Sequence, residues 1–172
     1  MNRIKLTSIL FLFSISLFAQ EETPVFKNEV KLNAAYLIGG IPEIGYEFLI
    51  NEESSFGVDL LFAIEKDTDM RFALTPYYRL YFGKKQNAGF FAEGFGMFNL
   101  TESENYDDYY YDMSDRDQPN EFDFALGVAV GAKFITSKGF TFEFFTGIGR
   151  NLFNEYSLEV VPRAGLTFGK RF

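Results

Sequence analysis

From about residue 28 onward the chain alternates residue by residue, in eight stretches. Even-numbered positions are apolar: Val30, Leu32, Tyr36, Ile44, Phe48, Phe56, Leu60, Phe62, Phe72, Leu80, Phe82, Phe90, Phe98, Phe124, Val128, Phe134, Phe140, Phe142, Phe144, Leu158, Val160, Leu166, Phe168 and Phe172 belong to this set. Arg150 and Lys170 are its only charges, and both fall near stretch ends. The odd positions between them carry the remaining charges and many glycines. A period of two is the signature of a strand with unlike faces. The stretches run 28–38, 42–50, 56–65, 70–82, 89–100, 122–135, 140–150 and 157–172. Polar or glycine-rich breaks separate them: Gly39-Gly40, NEESS, KDTD, GKKQNA, the long segment 101–121, TSKG and NLFNEY. Eight strands with such breaks predict an all-β protein, an eight-stranded antiparallel up-and-down transmembrane β-barrel over residues 20–172.

Alternation alone does not say which face is outside. With lipid around it, the apolar face points outward and the charged face fills the lumen. In a soluble, exported, lipocalin-like binding barrel, the apolar face would line a cavity and the charges would meet water. Glycines 127, 131, 147, 149, 165 and 169 on the charged face suit a cramped lumen, with room for long Arg and Glu side chains opposite. Loop lengths point the same way. An even strand number puts both chain ends on one side, where NEESS, GKKQNA and TSKG also lie. The 101–121 segment falls on the opposite side, as in barrels with short periplasmic turns and longer external loops. Phe48, Phe56, Phe82, Phe90, Phe134, Phe140 and Phe172 collect at the short-turn ends, as an interfacial girdle would.

Two features disturb the pattern. Pro76 and Pro162 lie inside stretches, and a closed barrel has no free edge to tolerate a missing N–H, so each predicts a bulge or an unpaired neighbour. The fifth stretch, GFFAEGFGMFNL, buries aromatics in either register; the one that turns Glu93 inward avoids a lipid-facing carboxylate.

Residues 1–19 read as a cleaved signal peptide. Arg3 and Lys5 precede an apolar core from Ile9 to Phe18, too short to span a membrane as a helix, and Ala19 offers a small residue for the cut. Losing these two cations takes the formal charge from -8 to -10. Such an acidic chain has no basic face for nucleic acid. Cys and His are absent, which removes disulfides, thiolate and imidazole metal ligands and a Ser–His–acid triad. No cofactor or metal is expected, and no glycine loop precedes a helix to cradle phosphate.

An eight-stranded lumen is just wide enough for side chains to fill. Glu43, Glu47, Asp59, Glu65, Arg71, Arg79, Glu93, Lys133, Glu143 and Arg163 point inward on this reading, with Asp123, Glu159 and Arg171. Charges buried there must be paired or hydrated, which predicts an ion-pair network across the lumen. Glu65 and Arg71 would face each other if the KDTD loop spans five residues. Paired carboxylates can also hydrolyse glycosides, but packing of the lumen accounts for these residues without catalysis.

The 101–121 segment holds eight acids, one base and a tyrosine cluster: Tyr106, Asp107, Asp108, Tyr109, Tyr110, Tyr111 and Asp112. It reads as a solvated loop, as a contact surface for an extracellular partner, or, through Asp107, Asp108, Asp112, Asp115 and Asp117, as a calcium site that departs from the helix-loop-helix spacing.

With the leader ending SLFAQ, the alternating strands and the last stretch VPRAGLTFGKRF, the chain resembles small outer-membrane β-barrel proteins of the OmpX/OmpW-like kind. The resemblance implies an outer-membrane location and assembly through the last strand, with Gly165, Leu166, Phe168 and Phe172 as the signal read by insertion machinery. Lys170 departs from the usual apolar residue at the third position from the end. It further implies a non-enzymatic structural or surface-interaction role, in contact with outer-membrane lipid. A narrow, porin-like conduit for ions or small hydrophobic solutes is the alternative, and the soluble binding barrel a second one.

Overall fold

The computed structural model describes residues 26–64, 70–102, 120–153 and 159–172. It is a closed antiparallel barrel in which every strand pairs with its sequence neighbours and the last pairs with the first. The strands are β1 (Asn28–Asn33), β2 (Glu43–Leu49), β3 (Ser54–Phe62), β4 (Met70–Tyr81), β5 (Gly89–Glu102), β6 (Asn120–Ile135), β7 (Phe140–Asn151) and β8 (Val160–Arg171). A short helix, α1 (Ala34–Ile38), follows β1. No helix among the described residues is long and apolar enough to cross a membrane, which says nothing about strands.

The two-residue period holds around the whole wall. Even positions face outward, so Phe90 (72% exposed), Val128 (64%) and Phe134 (57%) are bare, whereas Glu29, Glu47 and Arg79 (all 0%) are enclosed by the wall. Pro76 does not swap the faces. It pairs with Val58 on β3. The ladder to β5 is interrupted between Leu74↔Phe98 and Tyr77↔Phe95 and resumes in the same register. The only register shift in that ladder lies between Met70 and Phe72.

The first predicted strand ends early. Its alternation is already lost at Ala34-Ala35, two good helix formers, and Asn33 caps the turn by accepting from Tyr36 N. β1 therefore stops at Asn33, and β8 continues beyond it with no strand on that side. Three devices deal with the open edge. Leu166 N donates to Asn33 Oδ1 (3.3 Å). Ala164 N donates to the Tyr36 hydroxyl (3.4 Å), which burial holds above its ordinary pKa and so neutral. At the next outward position stands Pro162, which has no N–H to satisfy. Pro162 thus sits where β8 has no neighbouring strand on that side, and it pairs in register with Ile148 on the other. No bulge is needed.

The wall is uneven in height. Five register pairs join β1 to β2 and five join β1 to β8, against fourteen between β5 and β6.

Candidate functional site

The lumen gathers the chain's buried chemistry. Seven carboxyls (Glu29, Glu43, Glu47, Asp59, Glu93, Asp123, Glu143) and five cations (Lys31, Arg79, Lys133, Arg163, Arg171) are buried among the described residues. Each stands on an odd position, so the strand period alone delivers them to one interior.

Near the short-turn end, Glu29 meets Arg171 Nε (2.8 Å), Lys133 Nζ (3.3 Å) and Thr141 Oγ1 (2.7 Å). The Arg171 guanidinium also donates to the carbonyls of Gln86 (2.9 Å) and Asn87 (2.7 Å). Asn87 adopts a positive φ of 46°, a conformation Asn tolerates better than most residues. Its side chain donates to Ser54 O (2.9 Å) and its amide to Glu52 O (2.7 Å), so the 83–89 turn is folded under the barrel as a floor.

Glu47 is the hub above it. It accepts from Lys31 (2.9 Å), Lys133 (2.9 Å), Arg79 (3.4 Å) and the hydroxyls of Tyr81 (2.6 Å) and Tyr77 (3.2 Å). Glu143 holds the same three cations, Arg79 at 2.8 Å and both lysines at 3.3 Å. Arg79 Nε also pairs with Glu93, which in turn pairs with Arg163, and Arg163 pairs with Asp59. Toward the loop end the ion pairs thin out. Glu43 takes a hydrogen bond from Asn33 Nδ2 (2.9 Å) and has no cation within ion-pair distance among the described residues, and Asn99 donates to Asn151 (3.0 Å). Asp123 accepts from the amides of Phe124 (2.6 Å) and Phe153 (3.0 Å).

Aromatic rings complete the filling. The Arg79 guanidinium lies 4.2 Å from the Phe91 ring centroid and 4.6 Å from that of Tyr77. Arg163 lies 4.9 Å from Phe145 and 5.1 Å from Phe95. Desolvated guanidinium groups gain most from such faces. The inward glycines mainly serve these rings: a Cβ at Gly57 would strike Tyr77, one at Gly165 Phe145, one at Gly127 Phe95, and one at Gly131 Phe91. The expected role, room for Arg and Glu, holds only in part, at Gly45 beside Asp59 and at Gly169 beside Glu29.

The arrangement therefore brings together Glu47, Asp59, Arg79, Glu93, Lys133, Glu143 and Arg163, with Glu43 at the margin. Arg71 is half-buried and engaged. Its carbonyl accepts from Ala63 N (3.0 Å). Glu65, its expected partner, lies outside the described residues. Glu159 is corrected. The last strand starts at Val160, and Glu159 sits exposed at the rim, paired with the outward Arg150 (2.8 Å). Glu29, Lys31 and the rings Tyr77, Tyr81, Phe91, Phe95 and Phe145 belong to the network although attention to mid-strand charges passes them over. Their odd numbers were the signal. Of the last-strand positions, Leu166, Phe168 and Phe172 face outward and Gly165 inward. Residues 1–19 and Asp107, Asp108, Tyr109, Tyr110, Tyr111 and Asp112 lie outside the described residues.

Chemically, this is a filled interior. Glu29, Glu47 and Glu143 approach within 4.8 Å, close enough to share a cation. Lys31, Lys133 and Arg79 already place their charges between these carboxylates, so the donor set does not call for a metal. No curated protein and no solved structure matches the chain. A family described as "Protein of unknown function (DUF3575)" matches residues 6–163, nearly the whole chain, and the protein belongs to that family.

Proposed function

We propose that this protein is a non-enzymatic β-barrel of an outer membrane, exported on the leader 1–19, with a structural or surface-interaction role. It is similar in plan to the OmpX/OmpW-like barrels. The observation that carries the reading is the apolar belt between two outward charges. Lys170 pairs in register with Phe140 and Arg150 with Val160. Ten residue steps along β7 separate the two levels, roughly 34 Å of strand at about 3.4 Å per residue. At a tilt of about 40° that is a height of roughly 26 Å, against an apolar band of about 25 Å in outer-membrane barrels. The outward side chains between these levels include bare Phe, Leu, Ile and Val. In water such a belt would be an aggregation surface.

The lumen supports the rest. A soluble binding barrel would need an open cavity lined by the apolar face; here that face stands on the exterior, and the lumen is packed with ion pairs and with rings such as Phe91, Phe95 and Phe145. Catalysis would need a reachable titratable group, and Glu47, Glu143 and Arg79 are enclosed and committed to each other. The same packing supports a wall rather than a conduit. With the short turns and both chain ends on the periplasmic side, segment 101–121 faces the exterior as the partner-binding or solvated loop.

Cell fractionation with protease shaving tests location and orientation together. The expected result is recovery in the detergent-extracted outer-membrane fraction, with cleavage inside 101–121 on intact cells. Recovery in the soluble periplasmic fraction would overturn the membrane reading. Planar-bilayer recordings test the closed lumen: stable large channels would overturn it in favour of a conduit.

A further inference from the structure

The outer surface is not uniform. Where the β4–β5 and β6–β7 turns meet the wall, a groove of about 640 Å³ opens, lined by Lys84, Lys85, Phe134, Phe140, Phe142 and Phe168 among others. Its apolar floor is an aromatic row across three strands: Phe134 is opposite Phe142, and Phe142 opposite Phe168. The ring centroids are 6.4 Å and 5.1 Å apart. Its rim is basic. Lys84 and Lys85 line it from the β4–β5 turn, and Lys170 Nζ stands 4.4 Å from the ring of Phe140, another lining residue, while donating to the Lys138 carbonyl. Lys84, Lys85 and Lys170 are all exposed. A second outer groove of about 510 Å³ continues up the wall past Phe90, Ala92, Val130 and Phe144.

We propose that this groove is a binding site for one anionic phospholipid, its phosphate headgroup held by Lys84, Lys85 and Lys170 and an acyl chain laid along the phenylalanine row. The inference rests on the membrane reading above and adds to it a ligand class and a place. Three flexible ammonium groups at one rim match a phosphate monoanion, whereas a zwitterionic headgroup brings its own cation and gains less. Small outward residues above the row, Ala92 and Val130, give the chain a channel between Phe90 and Phe144. The groove thus offers charge at the headgroup level and apolar length beneath it, as an amphiphile requires. The reading also gives Lys170 a purpose: the one charge that breaks the apolar run of the last strand stands at the rim of this groove.

The test is native mass spectrometry of the full barrel released from micelles doped with phosphatidylglycerol or with phosphatidylcholine of the same acyl chains. One retained phosphatidylglycerol, about tenfold over phosphatidylcholine, is expected from the worth of a few surface lysines at an anionic interface. The double variant K84Q/K85Q touches no lumen contact and should keep its heat-dependent gel shift while losing most of the preference. Equal retention of the two lipids by the wild type, or an undiminished preference in the folded double variant, overturns the proposal. So does erasure of the preference by millimolar inorganic phosphate, which would make the site one for a free anion. A protein that stays out of vesicles altogether and shows no heat-dependent shift removes the membrane reading, and this site with it; a protein that inserts without lipid preference removes the site alone.

Discussion

Glu47→Gln is the sharpest test of the lumen. The substitution keeps volume and an acceptor for Tyr81 but removes a charge facing Lys31 and Lys133 at 2.9 Å and Arg79 at 3.4 Å. One unit pair near 4 Å contributes roughly 4 kcal/mol at an effective dielectric of about 20. Three such pairs would total far more than the carboxylate's own desolvation, which the variant recovers as several kcal/mol. Glu143 softens the loss, because it still contacts all three cations. Removing one partner of a buried pair costs about 3–5 kcal/mol, and that range is expected here. The assay is urea unfolding of the refolded barrel in micelles, read as the fraction of the compact, heat-sensitive gel band. Lys133→Met in the Glu47→Gln background removes one orphaned cation, so the double variant should recover about half the loss and show coupling above about 1 kcal/mol. If Glu47→Gln unfolds within about 0.5 kcal/mol of the wild type, the lumen charges are hydrated and the packed-network argument fails.

Four further outcomes are expected. Val130→Arg, mid-belt on the outer face, should destabilise the vesicle-inserted barrel by about 2–4 kcal/mol, and Phe140→Arg at the Lys170 level by at most about 1 kcal/mol; equal effects at the two depths in vesicle unfolding would contradict the belt. Gly165→Val places side-chain atoms in the Phe145 ring and should cost at least the 1–3 kcal/mol of overpacking, seen as a lower midpoint in the same urea assay. Arg171→Met frees the Gln86 and Asn87 carbonyls and should expose the 83–89 floor to limited proteolysis in micelles while the wild type resists. Tyr36→Phe removes only the acceptor for Ala164 N, so hydrogen exchange at that amide should quicken with a stability loss of about 1 kcal/mol.

The wall was readable because its physics is local. A period of two assigns each side chain to a face, and β5 and β6 follow it over fourteen register pairs. Barrel closure and strand order came from the same pattern with the turn spacing. What escaped depends on neighbours far away in sequence. That Arg79 lies between the Phe91 and Tyr77 rings, or that Glu29 reaches Lys133, follows from the stagger of the closed sheet, which alternation does not contain. β1 was overextended because apolar AAYLI fits either element, and only the Asn33 cap and the adjacent alanines favour the helix. The alternation around Pro162 carries no sign that β1 stops short and leaves that flank of β8 without a strand. A strand end depends on the pairing of a single residue, which no periodic pattern encodes: Glu159, one residue outside β8, leaves the lumen for solvent.

The low side of the wall has a consequence for whatever surrounds it. Beside β1 and β2 the cylinder is less than half as tall as beside β5 and β6, and α1, with Leu37 and Ile38 bare, takes over above Asn33. In a bilayer, acyl chains next to that quarter would meet a shorter greasy surface and compress or splay, while chains opposite stay extended. The cylinder would lean to even out the mismatch, giving the lipid annulus a thin sector and a thick one, and a neighbouring protein with a short belt of its own would settle preferentially against the thin sector.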